Sequence, residues 1–63
     1  MSLEAEAEFV RRLAAALARD ADFADDVAQD AMLAALVRGP DARTSLRGWL
    51  AATVRNVVSK HRR

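Results

Sequence analysis

Gly39-Pro40 is the one place in this 63-residue chain where glycine meets proline, and nearly everything on either side of it favours helix. Glycine takes the left-handed position after a helix at little steric cost, and proline has no amide hydrogen with which to continue the ladder. A helix must end there, and any later helix must be nucleated anew. Alanine, leucine, arginine and glutamate dominate the remainder, only 2 glycines and 1 proline occur in all, and no segment reads as a strand. The expected fold is all-α: a small three-helix bundle in a single domain, residues 1–63, with helices at about 3–19, 22–38 and 45–62.

In the first helix Glu4, Glu6 and Glu8 lie near the positive end of the dipole, Phe9, Val10, Leu13 and Leu17 form an apolar stripe, and Glu8 can pair with Arg12 one turn on. Asp20-Ala21-Asp22 is a short link that implies an antiparallel pair, and Asp22 is a suitable N-cap for a second helix burying Phe23, Val27, Ala31 and Ala34. After the loop Gly39 to Thr44, either Thr44 or Ser45 caps a third helix. Its apolar positions Leu46, Trp49, Leu50, Thr53, Val54 and Val57 recur at spacings of three and four.

A domain of this length buries only about 60% of its unfolded surface, so a partner is expected to supply part of its stability. With 0 cysteines and 1 histidine, neither a disulfide framework nor a zinc site can be assembled, and no cofactor is expected. No apolar run approaches the roughly 20 residues of a membrane span, and Met1-Ser2-Leu3-Glu4 lacks the basic and apolar regions of a signal peptide. A cytoplasmic location without membrane contact is the expectation.

The net charge of +1 conceals a division. Residues 1–30 carry eight acids and three bases, whereas residues 31–63 carry one acid and seven bases. Opposite charge on two sides of one small domain points to two partners, because electrostatic complementarity selects partner and orientation. On the third helix Ala52, Arg55, Asn56, Ser59, Lys60 and Arg63 share the side opposite the apolar stripe. A solvated helix end that complements its own dipole accounts for the cations. It does not call for the Asn amide and Ser hydroxyl, which are the groups that discriminate base edges while Arg and Lys neutralise phosphates.

On the second helix Asp22, Asp25, Asp26, Gln29 and Leu33 fall on one exposed stripe with Asp30 at its border. Leucines are often exposed singly without function, but one set within an acidic rim also has the anatomy of a docking surface. Trp49 has a ring that could stack on a base, yet its place in the apolar stripe assigns it to the core. His61 has no nucleophile, base or orienting partner near it and receives no role.

Two runs resemble a known family. Ala24-Asp25-Asp26-Val27-Ala28-Gln29-Asp30-Ala31-Met32-Leu33 is similar to the "AEDLVQDVFL" run of extracytoplasmic-function sigma factors, and Ser45-Leu46-Arg47-Gly48-Trp49-Leu50 with Arg55-Asn56 resembles that family's "SFRAWL…RN". The resemblance covers about Phe9 to Arg63 and identifies the chain as region 2 of such a factor. It implies that Asp25, Asp26, Gln29, Asp30 and Leu33 contact the clamp coiled coil of the RNA polymerase largest subunit. It likewise implies that Arg47, Arg55, Asn56, Ser59, Lys60 and Arg63 approach promoter DNA at the minus-ten element. The loop Gly39, Pro40, Asp41, Ala42, Arg43 and Thr44 resembles the one that holds a base flipped from the non-template strand. An anti-sigma factor becomes an expected partner, and a homodimer of the isolated domain is a further expectation.

The sequence departs from the family pattern at Leu46, where Phe is common, at Leu36, where Trp is common, and at Ser59, where Asp is frequent. Leucine is expected to fill the same apolar sites, with fewer stacking surfaces for melting DNA. A region 4-like domain has no counterpart in these residues. The competing reading is a helical interaction or adaptor module that never touches nucleic acid. A duplex-reading helix-turn-helix is disfavoured by the length of the loop before the third helix. An enzyme is disfavoured because no Gly-rich phosphate loop, metal cluster or activated nucleophile is visible.

Overall fold

A computed structural model describes residues 3–41 and 43–61. It contains a 3-10 turn at Glu4–Glu6 followed by α1 (Ala7–Leu17), α2 (Ala21–Val37) and α3 (Leu46–His61), with no strand among the described residues. The fold is the expected all-α three-helix arrangement, but the element ends differ from the sequence reading, each for a local reason.

The cap of α2 is Asp20 rather than Asp22: Asp20 is extended (φ −100°, ψ 131°) and its carboxylate accepts a hydrogen bond from the Asp22 amide at 3.0 Å. An N-cap residue must leave helical dihedrals to bring its side chain over the first free amides. Ala18 is therefore already extended (φ −103°, ψ 134°), and α1 stops at Leu17 instead of continuing to Arg19. At the other end of α2, Gly39 takes the left-handed conformation (φ 61°), and the Ala34 carbonyl accepts from the amides of Arg38 (2.8 Å) and Gly39 (3.3 Å). A Cβ at Gly39 would sit 3.1 Å from the Ala35 carbonyl oxygen, so both the dihedral and the space require glycine.

Of the two candidate caps for α3, Ser45 is the one used. Its Oγ accepts from the Gly48 amide at 3.0 Å and its carbonyl from the Trp49 amide at 2.9 Å. Thr44 instead turns back on the loop.

The three helices enclose Val10, Ala14 and Ala18 from the first hairpin arm, Ala24, Val27, Ala28 and Ala31 from α2, and Leu50, Val54 and Val58 from α3. Half of that core is alanine, so the helices approach closely along their buried lines and larger side chains are displaced to the sides. This explains why Phe9, Leu13, Leu17, Phe23 and Ala34, all expected inside, are only half-buried while Ala14, Ala24 and Ala28 take the interior positions. Trp49 is half-buried and packs against the core from its edge. Thr53 sits among these apolar neighbours because its hydroxyl donates to the Trp49 carbonyl at 2.9 Å, leaving no unpaired polar group.

Nothing on α2 beyond Ala31 is fully buried. Leu36, expected to fill an apolar site, is instead 71% exposed, because it lies on the side of α2 turned away from Ala31 and Ala35, which pack in the core and against it. Among the described residues no helix is long and apolar enough to cross a membrane.

Candidate functional site

The periodicity of α2 carries Asp25, Asp26, Gln29, Asp30 and Leu33 to the outside, and all five are exposed. Leu33 is not an isolated leucine. Leu36 and Val37 lie three and four residues further on, and the three are the large hydrophobic residues left exposed, at 51%, 71% and 81%. The outer surface of α2 therefore has acids along its first half and an apolar patch along its second. A groove of about 350 Å³ borders the acidic part, lined by Ala7 and Arg11 of α1 and by Asp25, Ala28, Gln29 and Met32 of α2. The sequence reading missed Arg11, Leu36, Val37 and Met32. A heptad-like count along α2 could have found Leu36 and Val37, whereas Arg11 required knowing which side of α1 meets α2.

On α3, Arg55, Asn56, Ser59 and Lys60 are exposed together with Ala52, and among the described residues none of those four side chains is engaged in a hydrogen bond or ion pair. Arg63 and Ala42 lie outside the described residues. Arg55 and Ser59 also border a cavity of about 210 Å³ whose other walls are Leu17 and Val58. Its apolar floor and polar rim add a concave element to this face.

The connecting loop is organised by Asp41. Its carboxylate accepts from the Arg43 amide (3.0 Å) and the Thr44 hydroxyl (3.3 Å), and its carbonyl accepts from the Thr44 amide (3.2 Å). These bonds hold the loop locally, as short Asp side chains commonly do in turns. They commit the exposed Asp41 carboxylate and Thr44 hydroxyl to the loop itself and leave the guanidinium of exposed Arg43 without a partner among the described residues.

Arg47 stands apart from the other α3 cations. It lies eight residues before Arg55, about 12 Å along the helix axis. Its Nε donates to Oε1 of Glu6 at 2.8 Å, and its guanidinium lies 4.6 Å from the centre of the Phe9 ring. Glu6, which the sequence reading treated only as a dipole-compensating acid, is the buried charged residue of the described structure, 3% exposed. His61, given no role, packs edge-on against Phe23 at 5.4 Å with the rings 69° apart, joining the end of α3 to the start of α2.

The arrangement is thus two exposed surfaces of opposite charge, the acidic one continuing into an apolar patch. The family model described as Sigma-70 region 2 matches residues 3–63. No curated protein matches the chain, and no solved structure matches it.

Proposed function

Because the chain belongs to the sigma-70 region 2 family, a family of transcription-initiation domains rather than of enzymes, we propose that it acts as region 2 of an extracytoplasmic-function sigma factor. In this reading α2 docks on the clamp coiled coil of RNA polymerase, and α3 with the preceding loop captures the non-template strand of the minus-ten element. The polymerase supplies the chemistry, and this domain supplies specificity.

The observation that carries the docking half is the unfilled apolar patch Leu33-Leu36-Val37 beside the acids Asp25, Asp26 and Asp30. A marginal domain that leaves three large apolar side chains in water gains most by covering them, and fully desolvated apolar anchors with a charged rim are what stable interfaces use. The acids select a basic helix and orient it. The α1–α2 groove lengthens the surface and adds Arg11 as a cation at its far bank.

The DNA half rests on chemistry. Unpairing a base costs a few kcal/mol, which backbone neutralisation and stacking must offset. Arg43, Arg55, Lys60 and Arg63 supply cations, and Asn56 and Ser59 supply short donors and acceptors for base edges. Four phosphate contacts correspond to a log-log salt slope of about −3 for single-stranded DNA.

The test is fluorescence anisotropy of the domain with a labelled polymerase clamp coiled coil, original sequence against Leu33→Arg. Loss of binding in the variant supports docking through this patch. Equal binding by both, or none by a folded original, counts against it.

A further inference from the structure

We propose that Arg47 is a positioning residue whose guanidinium, on a side chain 57% exposed, is committed through its Nε to the buried carboxylate of Glu6, and that it fixes the start of α3 and the loop leading into it instead of contacting a phosphate. The functional consequence rests on the strand-capture reading above, but the contact itself does not.

Three observations converge on it. The Glu6 side chain is 4% exposed, so its carboxylate has given up nearly all its water and depends on the Arg47 Nε–H 2.8 Å away. No buried side-chain nitrogen or oxygen among the described residues is left without a hydrogen bond, so this donor is what satisfies Glu6. The guanidinium also rests 4.6 Å from the Phe9 ring centre, a cation–π contact that lysine's compact ammonium reproduces poorly. Swinging Arg47 out to a phosphate would leave a buried carboxylate unpaired. Only the carboxylate of the pair is buried, the Arg47 side chain being 57% exposed, so the cost of separation is that of leaving the desolvated Glu6 charge without its donor.

The placement gives the contact its role. Glu6 ends the 3-10 turn that begins the described chain, and Arg47 is the second residue of α3, 41 positions later. The pair therefore ties the N-terminal turn to the point where the loop enters α3, immediately after the Ser45 cap. The loop's other end is anchored by Gly39. With both ends held, Arg43 and the exposed face of α3 keep a fixed relation to one another, which is what recognition of successive nucleotides requires.

The experiment measures binding of a fluorescein-labelled single-stranded oligodeoxynucleotide as a function of salt, with melting temperatures from circular dichroism. Arg55→Gln is expected to flatten the log-log slope by about 0.7, the value for one lost phosphate contact. Arg47→Gln is expected to leave the slope unchanged while lowering the melting temperature by roughly 4–8 °C. Arg47→Lys keeps the charge but loses the planar fork, so it should also melt several degrees lower. The proposal is overturned if Arg47→Gln flattens the slope as Arg55→Gln does, or if Arg47→Lys melts like the original. Salt-independent binding by the original sequence would refute strand capture and leave the contact to be decided by a double-mutant cycle. There, Glu6→Gln and Arg47→Gln must lower the melting temperature non-additively, and simple additivity overturns the pairing.

Discussion

Gly48 occupies the third position of α3, where helix propensity favours alanine by up to about 1 kcal/mol. The structure says that Gly48→Ala should nevertheless gain almost nothing. A Cβ built on Gly48 would lie 2.9 Å from the Ser45 Oγ, the atom that caps the helix by accepting from the Gly48 amide at 3.0 Å. The obstacle is a hydroxyl on a rotatable bond, so the serine would turn away and the cost would be the cap itself, about 1 kcal/mol. Gain and loss offset, leaving the single variant within a few tenths of the original. In a Ser45→Ala background the cap is already gone and the propensity gain stands alone. Gly48→Ala should then raise the melting temperature by about 4–8 °C, the shift for 1 kcal/mol in a domain of this size. Thermal unfolding of the four proteins, followed by circular dichroism, measures a coupling of about 1 kcal/mol. Equal stabilisation by Gly48→Ala in both backgrounds would refute the steric argument.

Two further outcomes rest on burial and on the division of the α3 face. Leu50, the largest fully buried side chain, should cost about 2–5 kcal/mol when cut to alanine; against a total stability of roughly 3–9 kcal/mol for a chain this long, the urea midpoint followed by Trp49 fluorescence should fall steeply, and an unchanged midpoint would contradict the core described above. Asn56→Ala should flatten preference among single-stranded sequences while Lys60→Ala weakens all of them alike, so identical preference profiles for the two variants would refute the assignment of base reading to one and phosphate contact to the other.

Much of the fold was legible because its signals are local. Gly39 ends α2 by its own dihedral freedom, Ser45 starts α3 by its own hydroxyl, and the exposed stripes of α2 and α3 arise from the helical period alone. The choice of Asp20 over Asp22 as cap was not legible, since both residues can play the part and only the path between α1 and α2 selects one. Nor could the pattern rank the apolar residues. Phe9, Leu13 and Leu17 are the obvious core candidates on α1, yet Ala14 joins Val10 at zero exposure in their place, because the spacing between helices is a property of the packed bundle.

The candidate surfaces divide in the same way. Sequence alone determined that acids and Leu33 face outward on α2 and that Arg55, Asn56, Ser59 and Lys60 face outward on α3, since a side chain's direction on a helix depends only on its position in the turn. Tertiary structure alone decided that Arg11 borders the α2 groove and that Arg47 meets Glu6 and Phe9. Those outcomes depend on which sides of two helices meet and on which residues 41 positions apart are brought within 2.8 Å, distances that no local propensity encodes.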